Sequence, residues 1–114
     1  MPILIINTNL PRAKIPQDFL SKATEMMSKQ IGKPSKYFTI CVHPDLIMSH
    51  GGSDDPCASV YVASIGKLGP DVNKDHSANI GSFIHETLKI PMDRFYIQFN
   101  DLLPSNVGYN GTTF

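Results

Sequence analysis

A proline directly follows the initiator methionine of this 114-residue chain and opens the apolar run Pro2-Ile3-Leu4-Ile5-Ile6. Methionine is normally trimmed when the second residue is small, so the mature chain is expected to begin at the secondary amine of Pro2. An internal proline is a tertiary amide without a basic nitrogen, and only a terminal proline can act as a base. A free α-amine titrates at about 7.7–8.0. Apolar surroundings and a nearby cation both lower that value, toward a base that is neutral at working pH. On position alone the commoner reading is structural, because the first residue of a strand tolerates proline.

Few other residues offer chemistry. Lys33 follows Gly32 and precedes Pro34, where it serves a helix C-terminus as readily as an anion. Ser64-Ile65-Gly66-Lys67 closes an apolar run with a glycine that frees the backbone to present N–H groups. Tyr96 and Gln98 share one face of a strand, and Gln98 interrupts an apolar run where a buried amide needs partners. His43, His50, His76 and His85 show no metal spacing and are assigned no catalytic role, so neither metal nor cofactor is expected. Nucleophile-elbow, phosphate-loop and paired-carboxylate patterns are absent. Cys41 and Cys57 are too few for a disulfide framework. Cys41, inside an apolar run, reads as a packed thiol; Cys57, after a Gly/Ser/Asp/Pro loop, reads as the more accessible one.

Ten Lys plus Arg balance ten Asp plus Glu, and no basic stripe with interleaved aromatics occurs. Nucleic acid and anionic membrane surfaces are therefore not expected partners. The apolar runs are too short for a membrane span or a secretory leader, so the Asn110-Gly111-Thr112 sequon is expected to stay unglycosylated.

The elements that must position these residues come as a repeat within one domain, residues 1–114, with halves of about 2–57 and 59–114. At an offset of 57, Ile3-Leu4-Ile5 falls on Val60-Tyr61-Val62, Phe38-Thr39-Ile40 on Phe95-Tyr96-Ile97, and Pro34 on Pro91. Phe19, Leu20, Ala23, Met26, Met27 and Ile31 recur at helical spacing, with Pro16 in the first turn and Gly32 as C-cap. Ile80, Phe83, Ile84 and Leu88 repeat the stripe. Each half is strand–helix–strand, whose right-handed crossover makes its strands parallel. Two copies predict an α/β (α+β) fold: a four-stranded mixed sheet with two helices on one face, ferredoxin-like. The strands Ile3–Ile6, Phe38–Val42, Val60–Ala63 and Phe95–Phe99 are nearly continuous apolar runs, which predicts burial of both sheet faces and hence an oligomer. Pro2 maps onto Ser59, so only one half carries the amine. Asn110-Gly111 predicts a tight turn in a terminal hairpin.

Over its whole length the chain resembles the macrophage migration inhibitory factor family of the tautomerase superfamily. The likeness rests on Pro2-Ile3-Leu4-Ile5-Ile6-Asn7-Thr8-Asn9, Gly32-Lys33-Pro34, Gly51-Gly52-Ser53, Asp55-Pro56-Cys57-Ala58, Ser64-Ile65-Gly66-Lys67 and the tail Asn106-Val107-Gly108-Tyr109-Asn110-Gly111-Thr112-Thr113-Phe114. The resemblance implies a homotrimer of the tautomerase fold with Pro2 as catalytic base. It implies that Lys33 and the Ile65 N–H hold the carboxylate and carbonyl end of a substrate, that Tyr96 comes from a neighbouring subunit, and that Val107 and Tyr109 form walls. Gln98 stands where the common vertebrate pattern has asparagine, and Tyr109 where it has tryptophan. The implied activity is keto–enol tautomerisation of a phenylpyruvate-type α-keto acid, with dopachrome-type isomerisation beside it.

The resemblance equally implies a cytokine that is cytoplasmic and also secreted without a signal peptide, with a cell-surface receptor as partner. Arg12 and Asp45 then match receptor contacts, though as residues they read equally as solvated loop charges. In that alternative the tautomerase site is vestigial. The family's two-cysteine oxidoreductase segment reads Cys57-Ala58-Ser59-Val60 here, so the resolving cysteine is missing and that mechanism is rejected.

Overall fold

Side-chain alternation fixes which face of each strand meets the helices. The computed structural model describes residues Met1–Phe114. In β1 (Ile3–Thr8) Leu4, Ile6 and Thr8 are buried, while Ile3, Ile5 and Asn7 are half-buried. β1 pairs in parallel with β2 (Thr39–His43) and antiparallel with β3 (Ala58–Ser64), and β3 pairs in parallel with β4 (Phe95–Asp101). The order is β2-β1-β3-β4. This is the mixed sheet expected from two strand–helix–strand units.

Both helices cover one face. α1 (Phe19–Ile31) buries Phe19, Ala23, Met27 and Ile31, about one side chain per turn. Gly32, at φ 78°, caps it by donating its N–H to Ser28 O, a left-handed conformation that suits glycine. Pro16 is not in the first turn as expected; the helix starts after Asp18, and Pro16 O accepts the Phe19 N–H in the turn before it. Leu20 also leaves the predicted core stripe, being 54% exposed. α2 (Pro70–Leu88) begins with proline, where a missing N–H costs nothing. The apolar stripe revealed only its second half, Ile80–Leu88. In the polar first half the buried side chain is His76, whose ring bonds Gln30 Nε2 and Lys67 O, each at 2.8 Å. These helices pack on Leu4, Ile6, Val60, Val62 and Phe95 to form the core.

The repeat needs one correction. An offset of 57 carries Ile40 and Val42 onto Ile97 and Phe99, all against the core. Applied to β1 it turns β3 over, because Leu4 would fall on Tyr61, which faces away from the helices. The helix-facing partners are Val60 and Val62, 56 residues after Leu4 and Ile6. Pro2 therefore does not correspond to Ser59: the first strands of the two halves differ in phase by one residue, while the helices and the second strands keep the offset of 57.

The open face is less apolar than the runs implied. By register it carries Ile3, Ile5, Tyr61 and Ala63 down its centre, with exposed Thr39 and His43 on β2 and exposed Tyr96, Gln98 and Asn100 on β4. Continuous runs thus describe β1 and β3 but not the outer strands. The cysteines are also reversed from expectation. Cys41 lies half-buried on this open face, because its parity is that of Ile5. Cys57 is fully buried, because Asn9 and Thr8 fasten its backbone: its N–H donates to Asn9 Oδ1 at 2.9 Å and its carbonyl accepts from Thr8 Oγ1 at 2.7 Å.

The Gly51–Ala58 motifs have a structural explanation. Arg94 donates to the carbonyls of Pro56, Ser53 and Asp55 at 3.0 Å and of His50 at 3.3 Å, tying the loop to the start of β4. At the C-terminus β5 (Gly108–Tyr109) and β6 (Thr112–Thr113) form the expected hairpin, with Asn110 and Gly111 both at positive φ. No helix is long and apolar enough to cross a membrane.

Thr8 joins two parts of this scaffold, since its buried hydroxyl also accepts the Leu10 N–H at 3.1 Å. Replacing Thr8 by the isosteric valine strands both groups, and urea unfolding is expected to show a loss of about 1–3 kcal/mol.

Candidate active site

β1 delivers the N-terminus to the interior. One step of register beyond the Ile3–Ala63 pair places Pro2 opposite Ser64, and Ser64 is itself paired with Asp101 of β4. Pro2 is fully buried, and its carbonyl accepts the Thr39 N–H at 3.1 Å. Met1 precedes it here, half-buried, so the chain's amine stands one residue outside the Pro2 position. Even there the amine pKa is held below its ordinary 8.0, first by desolvation and then by the positive charge of Lys33.

Lys33 arrives from the other side. Ser28 Oγ donates to Lys33 O at 2.6 Å, so the last turn of α1 fixes the residue just past the Gly32 cap. Its Nζ donates to Ile65 O at 2.6 Å, joining two residues expected to act together. Burial lowers the Lys33 pKa, the neighbouring Lys67 lowers it further, and Asp101 opposes both. Asp101 Oδ1 also accepts the Gly66 N–H at 3.0 Å, holding the Ser64–Lys67 turn against the end of β4. Gly66 sits at φ 74° in that turn, a conformation glycine adopts without strain. The result is a cationic, partly desolvated corner with a buried chain terminus, suited to receive a small anion beside a weak base.

The remaining expected residues do not all gather here. Tyr96 is paired with Ser59, near the opposite end of the sheet from the Pro2–Ser64–Asp101 row, and Gln98 with Tyr61 at mid-strand. Tyr96 is 78% exposed, and its ring lies 5.3 Å from that of His50. Val107 is buried, while Tyr109 is exposed and stacks on Phe114 at 5.8 Å. Arg12 and Asp45 are exposed on adjacent segments, because the Asp45 N–H donates to Leu10 O at 2.9 Å. No group of His, Cys, Asp and Glu side chains is arranged to hold a metal ion.

Sequence reasoning missed two members of the corner, the Ser64 side chain and Asp101. The Ser64 hydroxyl is buried without a hydrogen-bond partner. Its signal was present: a polar residue ends the run Val60-Tyr61-Val62-Ala63 beside the glycine turn.

A mixed sheet with helices on one face and the chain terminus on a central strand defines a class of fold, and comparison with known proteins makes the class specific. The family described as macrophage migration inhibitory factor (MIF) matches residues 1–114. Macrophage migration inhibitory factor of Mus musculus is 42% identical over 114 residues, covering 100% of this chain and 99% of its own. The homolog from Brugia malayi is 42% identical with the same coverage. The macrophage migration inhibitory factor structure from Trichinella spiralis superposes with a TM-score of 0.97 at 38% identity, covering 98% of this chain and 99% of that one. This chain belongs to the macrophage migration inhibitory factor family.

Two outcomes follow from the corner. Ser64→Ala removes an unpartnered buried hydroxyl and is expected to leave stability unchanged or raise it by up to about 1 kcal/mol in urea unfolding. Lys33 gives a pH signature. Its folded-state pKa lies below the ordinary 10.5, so the unfolded chain holds that proton more tightly and protonated Lys33 opposes folding at neutral pH. The penalty fades as pH rises through the folded-state value. Lys33→Met is therefore expected to raise the urea midpoint at neutral pH, with the gain shrinking toward alkaline pH.

Proposed function

We propose that the mature chain is a keto–enol tautomerase of aryl α-keto acids that uses the Pro2 amine as its base. The observation that carries this reading is the environment of the chain's amine, which burial and Lys33 already keep more weakly basic than a free terminus. Removal of Met1 moves the amine inward to Pro2, whose ring is fully buried. A secondary amine there is neutral and free to accept a proton near neutral pH.

The step is a proton transfer between carbon and oxygen. The Pro2 nitrogen takes a proton from the carbon next to the keto group, and the electron pair left behind moves onto the carbonyl oxygen. The same nitrogen then returns the proton to that oxygen, giving the enol. Lys33 holds the carboxylate, and the Ile65 N–H serves the carbonyl end. Dopachrome-type isomerisation asks the same of the base. Tyr96 and Gln98 are supplied by a neighbouring subunit of a homotrimer, with Val107 and Tyr109 as walls. Gln98 and Tyr109 set the reach and shape of the pocket, and so its choice of aryl group.

Pro2→Gly is expected to lower kcat/KM for phenylpyruvate by about 10²–10⁴-fold, with intact mass confirming that Met1 is absent from both proteins. A glycine variant as active as the parent removes Pro2 from the mechanism. Activity should fall on the acid side as the amine is protonated.

A second reading is a cytokine role, with export that needs no signal peptide. It is favoured by Arg12 and Asp45 standing exposed on neighbouring segments joined through Leu10 O. The Arg12→Ala/Asp45→Ala double variant is expected to weaken receptor binding and to keep the parent's tautomerase rate. Equal binding by the two proteins removes these charges from the receptor contact.

A further inference from the structure

His76 is a buried polar residue in the first half of α2, 5% exposed, and both of its ring nitrogens are engaged. Lys67 O lies 2.8 Å from Nε2 and can only accept, so the imidazole carries a proton on Nε2. Nδ1 faces Gln30 Nε2 at 2.8 Å. The orientation of Gln30 is set by its other partners. Its Nε2 also donates to Asp75 Oδ2 at 3.0 Å, and its Oε1 accepts from Asn79 Nδ2 at 2.9 Å. Gln30 therefore donates to Nδ1, and His76 is a neutral imidazole held as one tautomer.

The carbonyl it holds ends the Ser64–Lys67 turn. β4 fixes the entry to that turn: Ser64 O accepts the Leu102 N–H at 2.9 Å, and Asp101 Oδ1 accepts the Gly66 N–H. In a trans peptide the N–H points opposite to the carbonyl, so the Ile65 N–H is turned away from β4, toward the β1 side that carries Pro2. The exit is held differently. Lys67 follows Gly66 in the left-handed region, at φ 68°, without a glycine's freedom. Such a conformation persists where neighbouring contacts hold it, and the contact on Lys67 O is the His76 N–H. Through Gln30 the same ring is tied to α1, three residues before Lys33, whose Nζ is bonded to Ile65 O. One side chain thus links the turn and the end of α1, the two arms of the corner.

We propose that His76 is a positioning residue of the tautomerase site, which by holding Lys67 O keeps the Ile65 N–H aimed at the substrate's carbonyl oxygen. This inference rests on the function proposed above. Negative charge builds on that oxygen only as the proton leaves carbon, whereas the carboxylate is held by Lys33 throughout. A displaced Ile65 N–H therefore costs turnover more than binding.

The test compares His76→Gln with His76→Asn in the full chain. The Gln amide nitrogen reaches the place of ring Nε2 and keeps a donor for Lys67 O. The Asn amide ends near ring Nδ1, so it keeps a partner for Gln30 and falls short of Lys67. His76→Gln is expected to hold kcat for phenylpyruvate close to the parent value. His76→Asn is expected to lower kcat by about 10–100-fold, with KM little changed. Urea midpoints of both variants are read alongside, since a merely structural role would make kcat follow stability rather than the donor's position. The amide NMR signal of Ile65, read without substrate, should shift in His76→Asn and stay near its parent position in His76→Gln. A parent without turnover overturns the tautomerase reading alone, and the amide signals still decide the placement. Equal kcat in the two variants, or an Ile65 signal unmoved in His76→Asn, overturns the proposal.

Discussion

The antiparallel pairing of β1 with β3 is the constraint on which the site depends. It joins the two halves of the repeat at the centre of the sheet and sets Pro2 opposite Ser64. One residue further out, the chain's amine comes under the influence of Lys33. A slip of one residue would exchange the faces of Leu4, Ile6, Val60 and Val62, taking the core-facing set into solvent. The same burial that stabilises the fold therefore holds the terminus at one address. A chain end is ordinarily frayed; here it is built into the middle strands.

Electrostatics at that address run against stability. Lys33 is partly desolvated, faces Lys67, and receives only opposing help from Asp101. Its nearest acceptor is a neutral carbonyl, Ile65 O. A charge held this way is less well solvated than in water and gains from an anion that replaces the carbonyl contact. The buried Ser64 hydroxyl, which has no hydrogen-bond partner, lies in the same row as Pro2 and Asp101, so the corner holds both a poorly solvated charge and an unsatisfied polar group, neither of which serves folding.

Much of this was legible in the residues. The strand–helix–strand repeat predicted the sheet and the side on which the helices pack, and Gly32 marked the end of α1. Lys33 and Ile65, paired by the family resemblance and not by any local pattern, are in contact through Lys33 Nζ and the Ile65 carbonyl, whereas the expected role fell to the Ile65 N–H. The failures share a cause: sequence periodicity reports which residues are apolar, whereas tertiary register decides which way they face. An offset of 57 matched apolar letters across β1 and β3 yet inverted the strand. Cys41 looked packed because its neighbours are apolar, but Ile40 and Val42 point inward and Cys41 points out. Cys57 looked accessible because its loop is rich in Gly, Ser and Asp, but Arg94 and Asn9 pin that loop through its carbonyls, contacts invisible to local composition.

The position of Tyr96 bears on assembly. Five strand residues separate it from Asp101 in the Pro2 row, roughly 16 Å at about 3.3 Å per residue. Two strand spacings lie between β1 and β4 as well. The ring, 78% exposed, cannot reach its own Pro2 without unzipping β4. A pocket that uses Tyr96 must therefore take it from another copy of the chain. The open sheet face supplies a reason for such copies to meet: Ile3, Ile5, Tyr61 and Ala63 form a central apolar strip between polar outer strands, the pattern of a contact with an apolar middle and a polar rim. In the homotrimer proposed above, Tyr96 can therefore join a Pro2 corner only across a contact between copies.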